Sequence, residues 1–172
     1  MSVIDSEQEA LRRVADLAAR GASYGELFAV VSQELAQLVG ADGTALLRFE
    51  SDDTVTLVAT CNAAGVSVPS GECEPVTTAL RRLRDTIRPL RCGPLDVPLT
   101  GPFTSQIRRH GVRSLVAVPV KVDARVWGIS VAASRETVPF PAETESRVAR
   151  FTELVAKAIS KRGESPRLGD ET

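Results

Sequence analysis

Three cysteines, one histidine and a run of arginines are the residues of this chain whose types could do chemistry. Cys61, Cys73 and Cys92 are odd in number, widely spaced and without a C-x-x-C pair, which argues against a disulfide framework and against a structural zinc site. They read as ordinary thiols, and a redox-sensing role at Cys73 or Cys92 would need a lowered pKa and solvent access. His110 sits in the arginine-rich turn Arg108-Arg109-His110-Gly111 with no orienting partner, and no nucleophile elbow is present, so Ser/His/Asp and two-carboxylate catalysis lack support. The expectation is a chain without catalytic machinery and without a metal site. Among the arginines between 81 and 113, a convergent set of Arg84, Arg91 and Arg113 would hold an anionic ligand bidentately. The plainer alternative is a solvated face paired to the acidic segments.

The 172 residues, 43% hydrophobic and 25% charged, have the balance of one globular domain large enough to build a core without staples. Lys plus Arg is 21 against 22 for Asp plus Glu, a net charge of -1, which gives no electrostatic case for nucleic acid or an anionic membrane. No apolar run approaches the roughly 18 to 20 residues of a membrane span, and MSVIDSEQEA lacks a signal-peptide pattern. A cytoplasmic location is expected.

The elements that must position these residues follow from periodicity. Ser6 and Glu9 have capping-box spacing, and Leu11, Val14, Leu17 and Ala18 then form a stripe, predicting a first helix to about Arg20. Ser23 and Glu26 repeat the box before a second helix that stops at Gly40. Residues 44–49 and 54–61 read as a β-hairpin, and a short amphipathic helix starts at Pro75 and carries Leu80 and Leu83. Between 86 and 111 prolines and glycines leave room for a short strand near 87–92, a loop and a helical turn near 103–110. A further strand near 66–73 is left open by Ser67, Pro69, Ser70 and Gly71. Residues 115–122 and 126–133 form a second hairpin through Asp123-Ala124, where Ala124 disfavours a simple type I′ turn. A closing helix is predicted from Pro141 to about Arg162, followed by a disordered tail at 163–172. This order is α+β with one antiparallel sheet.

The segments Gly111-Val112-Arg113-Ser114-Leu115-Val116-Ala117-Val118-Pro119-Val120 and Val126-Trp127-Gly128-Ile129-Ser130-Val131-Ala132-Ala133-Ser134 resemble the C-terminal half of a GAF domain. Val39-Gly40-Ala41-Asp42 before the first strand and Phe140-Pro141-Ala142-Glu143-Thr144-Glu145 at the closing helix are similar to the same family, over about residues 24–160. The ending from Phe151 to Ile159 resembles GAF modules of bacterial sensor histidine kinases. The resemblance implies a central antiparallel sheet of five to six strands, terminal helices packed on one side, and a short helix plus a variable loop over a ligand face. It divides the chain into an N-terminal linker or dimerisation helix at 1–22, the GAF domain at 23–162 and the tail.

On that resemblance the function is a non-catalytic sensory module that binds a small ligand, dimerises, or both, to regulate an output partner such as a kinase. No kinase glycine box, phosphoacceptor-histidine segment or cyclase motif is present in this sequence. Pocket candidates are Cys73, Val76, Leu80, Leu90, Cys92, Ile107, His110 and Trp127, with Trp127 equally readable as a core anchor. Dimer-helix candidates are Leu11, Val14, Ala18, Phe151, Val155 and Ile159. No cofactor is required. Cyclic-nucleotide-binding relatives carry Asn-Lys, Phe and Asp-Glu where this chain has Ser134-Arg135, Phe140 and Thr144-Glu145, so only two positions match. His110 is one residue away from the haem ligand of some redox-sensing GAF domains, a minority haem hypothesis beside that of a surface histidine. Aromatic content of 4% and Gly93 after Cys92 argue against a bilin.

Overall fold

The computed structural model describes residues 3–62, 65–67, 73–92 and 109–160. In chain order these form α1 (Val3–Ala19), α2 (Tyr24–Val39), β1 (Gly43–Phe49), β2 (Thr54–Asn62), β3 (Gly65–Ser67), β4 (Cys73–Pro75), α3 (Thr78–Thr86), β5 (Leu90–Cys92), β6 (Ser114–Val122), β7 (Arg125–Ser134) and α4 (Thr144–Ser160). The antiparallel sheet runs β3-β2-β1-β7-β6-β5. The open question near residues 66–73 resolves as two short strands on one edge of β2: β3 pairs with Thr60–Asn62 and β4 with Thr54–Thr56. The predicted turn near 103–110 falls mostly outside the described residues, as does the tail.

Each central strand feeds two cores. On β1 Leu46 points to the helix side, while Ala45 and Leu47 point to the other; β6 divides Val116, Val118 and Val120 from Leu115 and Ala117 in the same way. Because both faces are covered, these strands are continuous apolar runs rather than alternating ones. α1, α2 and α4 cover one face with Ala10, Val14, Leu27, Leu35, Val148 and Phe151. α3 lies on the opposite face.

Two bulges adjust this pattern. In β2 the register passes from Leu46↔Ala59 to Leu47↔Leu57, so Val58 and Ala59 both join the helix-side core. In β7 it passes from Val120↔Gly128 to Lys121↔Val126, leaving Trp127 as the extra residue. Beside it, Gly128 is required by close packing: a Cβ there would stand 2.1 Å from the Leu47 carbonyl oxygen.

The second helix keeps its predicted ends. The Ser23 hydroxyl accepts from Glu26 N–H at 3.2 Å, and Gly40 closes the helix at φ 65°. α1 begins at Val3, so Ser6 lies inside the helix rather than at its cap. α3 begins at Thr78, not Pro75, because Pro75 ends β4 and the Thr77 hydroxyl caps the helix by accepting from Leu80 N–H at 3.3 Å. α4 begins at Thr144, since residues 141–143 form a turn in which Thr144 N–H donates to Pro141 O at 3.1 Å. The β6–β7 turn is the tight two-residue form: Asp123 and Ala124 have φ of 52° and 66°, a type I′ geometry that Ala124 adopts against its own preference.

Half of the dimer-helix candidates, Val14, Phe151 and Val155, are turned inward and are not available to a partner. Val14 is fully enclosed, and Phe151 and Val155 are buried, all three within the domain's own core. Leu11 and Ala18 pack against that core while keeping partial exposure, and the Ile159 side chain lies outside the described residues. α1 is held down by two forked ion pairs: Arg13 Nε and Nη2 donate to Glu34 at 2.6 and 2.8 Å, and Arg150 Nε and Nη2 donate to Glu7 at 2.9 and 2.6 Å. The apolar stripe of α1 therefore has its partner inside the molecule.

Candidate functional site

The face under α3 is built almost wholly from apolar side chains. Ala45, Leu47, Val55, Leu57, Leu115, Ala117, Ile129 and Val131 form its floor, and Val76, Leu80 and Leu83 lie over them. Phe49, Leu90, Val112 and Ala133 pack at the margins. α3 has nine residues, about 13 Å of helix, and the floor beneath it comes from four adjacent strands, about 14 Å across, with every floor residue buried. Glu74 is buried and in register with Val55, which sets a carboxylate at the edge of this face. Such a surface is chemically suited to an apolar or aromatic ring system, and among the described residues its floor and roof carry no nucleophile and no acid–base pair.

Asp53 ties α3 to the β1–β2 hairpin. It takes the left-handed conformation at φ 64°, its carbonyl accepts from Val76 N–H at 3.0 Å, and its carboxylate pairs with Arg81. Arg84 reaches the same carboxylate at 3.7 Å, contacts Asp85 at 3.3 Å and lies 5.3 Å over the Phe49 ring. At the other end of α3, Ile87 is exposed and also left-handed, at φ 55°, an unusual state for a β-branched residue.

The three arginines read as an anion-binding set are not brought together. Arg84 serves the α3 side. Arg91 is in register with Val116, a residue of the helix-side core, and its guanidinium is fully engaged there. Its Nε and Nη2 donate to Glu145 at 2.8 and 2.5 Å, Nη1 donates to Phe140 O at 2.5 Å and Nη2 to Pro141 O at 2.7 Å. This pairing holds the Glu145 carboxyl below its ordinary pKa, chiefly through the hydrogen bond from Arg91, and raises that of Arg91. Arg113 is exposed and has no ion pair among the described residues; its backbone N–H donates to Ser134 O at 2.7 Å. Opposite sides of the sheet therefore separate Arg84 from Arg91, and the anion-binding reading of the trio fails on geometry.

The other predicted pocket residues divide as follows. Val76 and Leu80 lie on the α3 face, with Leu90 at its margin. Trp127 does not belong there. Its bulge turns it to the helix side, where its ring centroid is 5.2 Å from that of Phe28. Cys73 is exposed at the sheet edge in register with Thr56, and His110 is exposed in the turn before Gly111. Cys92 is in register with Leu115, a floor residue; its side chain, and Ile107 altogether, lie outside the described residues. Burial raises the Cys61 thiol pKa. Among the described residues no group of His, Cys, Asp and Glu is placed to hold a metal ion, and no helix is long and apolar enough to cross a membrane.

Sequence reading missed Glu74, the Asp53 tie and the Arg91 clamp. Arg91 and Glu145 are 54 residues apart, a separation at which no local spacing rule operates. Glu74 had a weak signal, one carboxylate between Cys73 and Pro75 in a segment left undecided.

A family model for the GAF domain matches residues 23–159. The chain belongs to the GAF domain family. Solved structures share the fold at low identity. A phycocyanobilin-bound GAF domain from a cyanobacterial phytochrome superposes with TM-score 0.68 at 17% identity, over 90% of this chain and 94% of that one. A phycoerythrobilin-bound GAF domain from a cyanobacterial phytochrome gives TM-score 0.70 at 16% identity, over 92% and 96%. The photosensory core module of a Stigmatella aurantiaca phytochrome gives TM-score 0.69 at 16% identity over 93% of this chain, which spans 36% of that module's length. No curated protein matches the chain.

Proposed function

We propose that this chain is a non-catalytic sensory module that holds a small molecule with an apolar body on the sheet face beneath α3 and passes its occupancy to an output partner in the cytoplasm. The observation that supports this reading is a second apolar core, distinct from the helix-side one, in which Val76, Leu80 and Leu83 lie over a floor of Ala45 to Val131 contributed by four adjacent strands. The strands of that floor are shared with the helix layer. On β7 Ile129 and Val131 face the ligand side while Ala132 faces α1, α2 and α4. A shift of β6 or β7 on binding therefore alters helix packing, a population shift between two arrangements.

Linear tetrapyrroles are the first ligand class to test, since two of the structural neighbours hold them. Covalent attachment is not required by this reading: Cys61 pairs with Thr44, whose hydroxyl donates to the α2 carbonyl of Ser32 on the helix side, and Cys73 is exposed at the sheet edge. The test is titration of the full chain with phycocyanobilin, haem and a cyclic nucleotide, followed by absorption and thermal shift. Saturable binding of any one of them that Leu80→Arg abolishes supports the reading.

A second reading has its own observation. Ile129, Leu83 and Val131 are already buried by the chain itself, as in a face packed shut, and the domain would then serve only as a docking or dimerisation module for a signalling protein. Binding of none of the three probes, with a stable dimer by light scattering, favours that reading.

A further inference from the structure

We propose that Arg91 is the positioning residue that couples the ligand face to the start of the closing helix. This rests on the sensory reading above and names its route. β5 is a three-residue edge strand paired only with β6 among the described residues. Its neighbouring side chains serve opposite faces: Leu90, in register with Ala117, packs on the ligand-side core, and Arg91, in register with Val116, reaches the turn that opens α4. A displacement of β5 by one face is thus a displacement of the guanidinium on the other.

The clamp concentrates four contacts on one side chain. Arg91 gathers Phe140 O, Pro141 O and both oxygens of Glu145 in one planar fork. Pro141 O also accepts from Thr144 N–H, the first residue of α4. A cation at a helix N-terminus opposes the macrodipole, so Arg91 is tolerated there only while Glu145 neutralises it. A shift that breaks the fork turns attraction into repulsion and loosens the first turn of α4. The short strand supplies little resistance, since three residues pair on one side only.

Hydrogen exchange on the full chain tests this without any ligand. The readout is the exchange rate of the α4 amides at 148–151, divided by that of the α2 amides at 31–35, so that a general loss of stability cancels. Arg91→Gln is expected to raise the ratio about tenfold, and Arg91→Lys, a point charge unable to span four acceptors, by less. Leu90→Ala, made on the ligand side, is expected to raise it several-fold in the wild-type background and to add less than twofold in Arg91→Gln. No change at α4 with Leu90→Ala, or the same factor in both backgrounds, overturns the proposal. Because no ligand enters, failure here is distinct from failure of the probes to bind.

Discussion

Phe28 on α2 and Trp127 on β7 meet with their ring centroids 5.2 Å apart, on the side of the sheet away from α3. The contact exists because the β7 bulge reverses the direction that strict alternation would give Trp127. It borders an apolar crevice of about 30 Å³ between α2, α4 and the β6–β7 hairpin, lined also by Val31, Leu46, Val120 and Val155. Trp127 is partly buried, so Trp127→Ala should cost about 2–3 kcal/mol, below the range for a fully enclosed aromatic. Urea denaturation measures this, and probe binding beneath α3 should survive the change.

Val14 gives a test of where α1 belongs. Its side chain is enclosed by the domain's own helices, so Val14→Ala should destabilise by about 1.5–2.5 kcal/mol through lost burial. The loss should be independent of protein concentration. A loss that fades as concentration rises would place Val14 at an interface between copies.

Most of the architecture was legible in the sequence because its signals are local. Ser23 and Gly40 marked the ends of α2, and the β-rich runs marked the two hairpins. What escaped depends on neighbours far along the chain. Nothing near Trp127 announces a bulge, since the bulge is a mismatch with β6. The stripe of α1 was visible, yet whether it met α2 and α4 or a second molecule depended on Glu34 and Arg150, 21 and 143 residues from their partners. The arginines looked alike in sequence, and only strand register showed that Arg91 faces away from Arg84.

Gly128 is the position where the sheet tolerates least. A methyl group would meet the Leu47 carbonyl and the Arg48 Cα of the adjoining strand, backbone atoms that cannot swing aside. Gly128→Ala should therefore cost about 1–3 kcal/mol or more by overpacking. A thermal melt unchanged from wild type would show that β1 and β7 are not so closely apposed.

The Arg91–Glu145 pair predicts a pH effect of definite sign. The native carboxyl titrates below the ordinary glutamate value of about 4.3, so its contribution is present at neutral pH and is lost as pH falls through the lowered native value. The pair is partly exposed, which keeps the effect small. Glu145→Gln should melt below wild type at pH 7, and the gap should close as pH drops under about 4. A gap that stays constant with pH would show that the ion pair contributes nothing.

The two described thiols should differ in reactivity. Cys61 is partly buried with its pKa pushed up, while Cys73 is exposed at the sheet edge. A thiol reagent at pH 7 should modify Cys73 well before Cys61 in mass-mapped time courses. The reverse order would contradict the placement of β4.

Native mass spectrometry of the chain, purified without additives and then mixed in turn with phycocyanobilin, haem and a cyclic nucleotide, reads occupancy of the face beneath α3. A stoichiometric small-molecule adduct is expected, either retained from the cell or formed with one of these probes, that Leu80→Arg removes while circular dichroism shows the fold intact. An adduct-free chain with all three, or an adduct indifferent to Leu80→Arg, would contradict a ligand site beneath α3.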